Sequence, residues 1–160
     1  MSEVIRNAVR CFCIKDNKIV CIKTKTNKIG FFDIPGGKIE DNETMEQAVI
    51  REFKEETGLD IAEPVYRGVI NISFPNGTFR LNTFIVDDYS GEMVNSEEHD
   101  VYFLEIDELL KQKRFACTIM LEPSFIKILY DNTKTFEFTA EVEHDETIKD
   151  IHFVIKDYND

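Results

Sequence analysis

No stretch of the sequence is apolar for long enough to cross a membrane as a helix, so a membrane protein is not expected. The opening residues, MSEVIRNAVR, lack an apolar signal-peptide core, which points to a cytoplasmic protein. Positive charge is scarce: 19 Lys and Arg stand against 31 Asp and Glu, a net charge of −12. That balance argues against a broad electrostatic grip on nucleic acid, which needs a basic surface. It also means that a phosphate-bearing substrate must meet local cations, from lysine, arginine or bound metal. Cysteine is limited to Cys11, Cys13, Cys21 and Cys117, with no CxxC pair. We read these as buried, reduced thiols, because a zinc site at Cys11, Cys13 and Cys21 lacks an obvious fourth ligand. Repeats, low-complexity tracts and linkers are missing too. With 160 residues and 42% apolar composition, the chain is expected to form one domain over 1–160 with a real core.

What is present is clear patterning. Alternation over NAVRCFCIKDNKIVCIKTKT predicts two strands around a turn near Asp16–Asn17. The run GFFDIPGGKIE is broken by Pro35, Gly36 and Gly37, a loop signal. The two glycines are expected to supply backbone conformations closed to other residues. Thr44 to Thr57 reads as a helix, with capping-box spacing between Thr44 and Gln47 and with Gly58 as the C′ residue. PVYRGVINISF and FRLNTFIVDDY read as long strands joined by a hairpin turn at Pro75–Gly77. VYFLEIDELL is a strand leading into a helix, and EPSFIKILYD a second helical segment with proline near its start. TFEFTAEVEH and IKDIHFVIKDY form a last pair of strands. This order predicts an α/β (α+β) sandwich with a mixed β-sheet and an additional C-terminal β-hairpin over 132–160. The hairpin is expected to extend a sheet, cover the site or form a homodimer contact.

The Thr44–Thr57 helix carries the chemistry. At 3.6 residues per turn, Met45, Ala48, Val49 and Glu52 share one side, with Phe53 at its margin. Glu55 and Glu56 follow Glu52 at i+3 and i+4, so the face starts apolar and ends acidic. A merely solvated helix end explains this poorly, because carboxylates near a helix C-terminus oppose the macrodipole and repel one another. A hard divalent cation, Mg²⁺ or Mn²⁺, is the natural compensation. The Gly36–Gly37 loop is placed to bring a backbone carbonyl to the same metal. Arg51 and Glu43 are expected to form a structural ion pair that holds the loop against the helix.

The segment from Gly37 to Leu59 resembles the Nudix box of the Nudix (MutT-like) hydrolases, GX5EX7REUXEEXGU with U a bulky apolar residue. Gly37, Glu43, Arg51, Glu52, Phe53, Glu55, Glu56, Gly58 and Leu59 meet every fixed position. The resemblance implies a Nudix-type α/β/α sandwich. It also implies hydrolysis of a nucleoside diphosphate linked to another group X, with Mg²⁺ or Mn²⁺ held by the box glutamates. Carried over to this chain, Glu52, Glu55 and Glu56 are expected metal ligands and catalytic residues, with Gly36 a ligand through its carbonyl. Arg51 supports them. Glu52 is also a candidate to orient or deprotonate the attacking water. The later loop NSEEHDVYF is expected to offer a further acid as metal ligand or base, Asp100 first, with Glu97 and Glu98 behind it and His99 a bystander.

For the small-molecule nucleotide, Phe31 or Phe32 and Phe79 are candidates for stacking on a base. Lys38 and Arg80, with Lys23 and Lys25, are candidates for meeting phosphates. The layout of the long hairpin resembles the family's nucleoside triphosphate pyrophosphohydrolases, which give a nucleoside monophosphate and pyrophosphate. Pro75 falls about where the family's ADP-ribose hydrolases carry a proline, but a hairpin turn already explains it. An ADP-ribose or nucleotide-sugar pyrophosphatase and a non-catalytic nucleotide-sensing module are the alternatives. An RNA-end hydrolase is disfavoured by the net charge.

Overall fold

The architecture comes from a computed structural model, which describes residues 4–25, 32–111, 117–143 and 148–157. Strand β1 (Val4–Lys15) turns through Asp16 and Asn17, at φ 52° and 63°, into β2 (Lys18–Thr24). Two successive left-handed residues match the twist of the flanking strands and close a tight hairpin. Short strands β3 (Phe32–Asp33) and β4 (Gly36–Lys38) lead to helix α1 (Met45–Thr57). The expected capping box is formed: Gln47 N–H donates to Thr44 Oγ1 at 3.1 Å, and Thr44 N–H to Gln47 Oε1 at 2.9 Å. Gly58 ends the helix in the left-handed region at φ 82°, where only glycine is comfortable.

After β5 (Leu59–Asp60), strands β6 (Val65–Phe74) and β7 (Gly77–Val86) make the predicted hairpin around Pro75 and Asn76. Then follow β8 (Ser90–Gly91), β9 (His99–Glu105), α2 (Ile106–Leu110), a 3₁₀ turn (Cys117–Leu121) and α3 (Ile126–Tyr130). The hairpin of β10 (Lys134–Val142) and β11 (Ile148–Asp157) completes the described chain. No helix among the described residues is long and apolar enough to cross a membrane.

The main sheet runs β11-β10-β6-β7-β1-β2-β3, with β4 also beside β1 and β9 also beside β2. It is mixed: β1 runs parallel to β7 and β10 parallel to β6, while β6–β7, β10–β11 and β2–β9 are antiparallel. Period-two alternation splits the core between its faces. Val9, Cys11, Cys13, Val20, Phe84 and Val86 pack under Ala48, Val49 and Phe53 of α1. Phe12, Ile14, Cys21, Leu81 and Phe138 pack on the opposite side with Ile106 and Leu109 of α2 and Leu129 of α3. A mixed sheet between helical layers is the expected sandwich.

Four local expectations change. The Pro-Gly-Gly segment is not a free loop, because Gly36, Gly37 and Lys38 form β4 and pair with Arg10, Val9 and Ala8. Neither Gly36 nor Gly37 is among the glycines at positive φ. Met45 is exposed, whereas Phe53 is fully buried, so the apolar stripe of α1 sits further round than the sequence suggested. The second helical segment shrinks to five residues at Ile126–Tyr130. Cys11, Cys13 and Cys21 are buried free thiols, as read, with burial raising each thiol pKa.

Candidate active site

Arg51 organises the start of the site. Its Nε and one terminal nitrogen reach both Glu43 oxygens at 2.6 and 2.9 Å, a bidentate pair. The same guanidinium donates to the Lys38 carbonyl at 3.0 Å, to Glu52 at 2.9 Å and to Glu55 at 3.2 Å. Glu43 in turn accepts from the Glu40 backbone N–H at 3.0 Å. One side chain thus ties the 38–43 loop to α1, which is the role expected of the Arg51–Glu43 pair. The bonds from Arg51, then the one from Glu40, hold the Glu43 carboxyl down at about 2.

The two glycines before the helix serve close approach. A Cβ on Gly37 would lie 2.3 Å from the Glu52 carboxylate, and one on Gly36 would lie 1.9 Å from the Val9 carbonyl oxygen. Glu52 therefore rests directly on the bare Gly37 backbone, and Gly36 lies flat on β1. Gly36 N–H also points at Glu56 Oε2, 3.4 Å away. Glu56 is half-buried and Glu55 exposed. Burial pushes the Glu56 carboxyl up to about 8, against the pull of Arg10 and Gly36, with Glu52 and Asp33 adding repulsion.

A cleft of about 450 Å³ joins Glu52, Glu55 and Glu56 to Ser96, Glu97, Glu98 and His99. The loop on its far side is well fastened. Val94 N–H donates to the Thr57 carbonyl at the end of α1 (2.8 Å), and Asn95 Oδ1 accepts from Val101 N–H (2.9 Å). Ser96 Oγ accepts from the N–H groups of Glu98 (3.2 Å) and His99 (3.0 Å). Five carboxylates face one space, and Arg51 touches only the Glu52 and Glu55 end of it. Such a donor set suits a hard divalent cation, and the half-buried Glu56, carrying charge at a cost, fits one too.

The other expected residues are distributed differently. Asp100, the acid placed first in the late loop, is not part of this cleft. Alternation along β9 puts Val101 and Phe103 on the α1 face and Tyr102 and Leu104 on the other. Asp100 follows the second set, 3.4 Å from Lys25 Nζ. The acids that reach the cleft are Glu97 and Glu98, in the loop before the alternation begins. Lys38 lines a separate, more open groove with Gly37, Glu40 and Glu52. Phe79 sits at the β6–β7 turn, edge-to-face with Phe74 at 5.7 Å and under the Arg6 guanidinium. Arg80 is exposed on β7, and neither it nor Phe79 lines the acidic cleft. Phe31 lies outside the described residues. Its neighbour Phe32 packs edge-to-face on Tyr102 at 5.1 Å with Lys23 Nζ over its ring.

Arg10 was not foreseen. It lies under Gly36 and acts on Glu56, its Nη1 donates to the Val9 carbonyl at 2.9 Å, and its buried Nε has no hydrogen-bond partner among the described residues. The available signal was a charge between Ala8 and Phe12 on an otherwise inward strand face. A separate cavity of about 520 Å³, around β5, the end of β7 and Tyr130, is lined by Asp60, Glu63, Asp87 and Asp88. With no lysine or arginine among the described residues of its wall, it suits a phosphate poorly.

Residues 4–118 match the family described as the NUDIX domain. An 8-oxo-dGTP diphosphatase of Proteus vulgaris is 34% identical over 92 residues, 56% of this chain and 82% of that protein. An ADP-ribose pyrophosphatase of Methanocaldococcus jannaschii is 40% identical over 101 residues, 61% of this chain and 60% of that protein. A MutT protein of Bacillus halodurans superposes with a TM-score of 0.78 at 21% identity, covering 92% of this chain and 97% of the other, a likeness of fold. With the box intact, its glutamates gathered on one cleft and the domain matched over most of the chain, the protein belongs to the Nudix hydrolase family.

Proposed function

We propose that the chain is a divalent-metal-dependent nucleoside triphosphate pyrophosphohydrolase that gives a nucleoside monophosphate and pyrophosphate. The observation that carries this reading is the convergence of Glu52, Glu55 and Glu56 on one cleft under the 96–99 loop. Glu52, Glu55, Glu56 and the Gly36 carbonyl are the residues that would hold Mg²⁺ or Mn²⁺. When bound there, the metal neutralises phosphate charge and lowers the pKa of coordinated water.

The chain's own residues supply position. Arg51 holds Glu52 and fixes the loop through Glu43. Glu52, or Glu97 or Glu98 across the cleft, orients the water and takes its proton. Asp100 moves from ligand candidate to partner of Lys25 in a patch with Lys23, Phe32 and Tyr102, on the sheet face away from α1. Phe32 with Lys23 is the better candidate there for a base and a phosphate. Lys38, beside Glu52, is a second phosphate candidate, and Phe79 and Arg80 are more distant ones. The chain is read as cytoplasmic, with a homodimer contact as one of the three roles open to its C-terminal hairpin.

A second reading, an ADP-ribose or nucleotide-sugar pyrophosphatase, is favoured by the 40% identity to the archaeal ADP-ribose pyrophosphatase. Pro75 does not support it, because it lies in the turn between β6 and β7. A product screen with Mg²⁺ and Mn²⁺ tests both readings. It covers canonical and oxidised nucleoside triphosphates, ADP-ribose, nucleotide sugars and 5′-triphosphate RNA. Monophosphate plus pyrophosphate is the expected result, and AMP plus ribose phosphate would replace the first reading with the second. Glu55→Gln and Glu56→Gln should each lower metal-dependent turnover roughly a hundredfold or more. Unchanged turnover would remove the mechanism, and ligand-induced stabilisation without product would indicate a sensing module.

A further inference from the structure

Strand β11 is the outermost strand of the main sheet, and its outer edge pairs with no strand among the described residues. Such an edge presents a row of open N–H and C=O groups that invites another strand. It is also unusually apolar for a free edge: Phe153, Val154 and Ile155 are 47%, 53% and 44% exposed. Its sequence, from Lys149 to Asp157, is KDIHFVIKD. Read against itself in the antiparallel direction about Phe153, it is complementary. Lys149 meets Asp157, Asp150 meets Lys156, Ile151 meets Ile155, His152 meets Val154 and Phe153 meets itself.

We propose that two copies of this chain associate by antiparallel pairing of β11 with the partner subunit's β11 across a two-fold axis at Phe153. An isologous contact of this kind requires that whenever one residue meets another, the reverse also holds, and this strand satisfies that throughout. The pairing makes the two main sheets continuous. Because paired positions differ by an even number, faces are preserved. Ile151, Phe153 and Ile155 stand opposite Ala140, Phe138 and Phe136 of β10, so they share the apolar face that holds α3. Phe153 already packs on Phe138 at 5.2 Å and on Phe125 at 5.5 Å. The apolar stripe would then run unbroken through both subunits.

Charge specifies the register. A slip of one residue in one direction sets Lys149 against Lys156 of the partner subunit, and in the other direction sets Asp150 against Asp157 of the partner subunit. A slip of two sets Lys149 and Asp150 against Ile155 and Val154 of the partner subunit in one direction, and Asp157 and Lys156 against Ile151 and His152 of the partner subunit in the other, so no opposite-charge pair survives. Parallel in-register pairing places every charge against its like, which is destabilising. The opposite sheet face adds a second, independent feature. Glu141, Asp150 and His152 bring their ligand atoms within 4.8 Å of one another, an acidic excess on the exposed side of the hairpin. The proposed register places the partner's Lys156 beside Asp150, and so supplies a cation to that cluster.

This selects the dimer contact among the roles open to the C-terminal hairpin and does not depend on substrate, because the readout is mass. Sedimentation equilibrium of the full chain should show a monomer–dimer equilibrium. Asp150→Lys and Lys156→Asp each put like charges opposite one another twice per dimer. Each should raise the dimer dissociation constant about tenfold or more. An equimolar mixture of the two variants restores both opposite-charge pairs in a heterodimer, and should associate about as tightly as the wild type. That recovery also demonstrates that both variants are folded. A wild-type chain that stays monomeric at its highest soluble concentration would overturn the proposal. So would single variants that dimerise normally, or a mixture that fails to reassociate.

Discussion

Glu56 carries the clearest consequence of burial. Its carboxyl is raised to about 8 in the folded chain, from an ordinary value of 4.5. Between those two values the unfolded chain has released a proton that the folded chain keeps. Stability of the metal-free protein therefore falls as pH rises from about 4.5 to about 8. Thermal unfolding without metal, followed across that window, should show this decline, and Glu56→Gln should flatten it. A profile in the variant as steep as in the wild type would mean that another group is responsible. The glycines give a paired contrast. Gly37→Ala pushes on the end of the Glu52 side chain, which can move, so the metal-free fold should survive while metal-dependent turnover drops at least about tenfold. Gly36→Ala runs into the Val9 backbone, which cannot yield cheaply, and should lower the unfolding temperature itself. Box spacing identifies Gly37 and the Pro-Gly-Gly run draws attention to Gly36, but only the neighbours they touch reveal that one makes room for a carboxylate and the other for a strand.

Helix α1 shows what a single element contributes. Its cap, its length and its C′ glycine are all legible locally, because capping and periodicity depend on residues within one or two turns. Gly58→Ala forces a side chain into the left-handed region and 2.7 Å from the Glu92 carbonyl oxygen. It should cost about 1–3 kcal/mol, read by denaturant titration. The same substitution would loosen the 92–96 loop that carries Glu97 and Glu98 toward the cleft. Arg51→Lys tests the link from element to site. Lysine keeps the charge but loses the planar fork that serves Glu43, Glu52 and the Lys38 carbonyl at once. Both unfolding temperature and turnover should fall, and a variant with normal turnover would show that the loop holds without the fork. The short α3 and the strand pairing of Gly36–Lys38 were not legible, because each depends on partners far away in sequence.

At the scale of the whole molecule, the net charge of −12 and the five carboxylates facing one cleft predict a specific response to ions. Mg²⁺ or Mn²⁺ should raise the unfolding temperature well beyond NaCl of equal ionic strength, because site binding adds to screening. Chelation should reverse the gain, and Glu56→Gln should reduce it. An equal response to both salts would mean that screening alone is at work. The sequence by itself determined the family, the acidic face of α1, the β1–β2 and β6–β7 hairpins and the extra C-terminal pair of strands. These are set by local periodicity, by turn chemistry and by a motif of fixed spacing. Only the tertiary structure decided which acids share a space. Alternation along β9 turns Asp100 toward Lys25 and away from the box glutamates. The fastened 94–99 loop instead delivers Glu97 and Glu98 to them. Arg10 comes to lie beside Gly36 because β4 pairs with β1, and β11 is a free edge among the described residues because β10 joins β6. The reason is physical: which residues alternate is written along the chain, but which face looks at which partner is fixed only when distant strands pair.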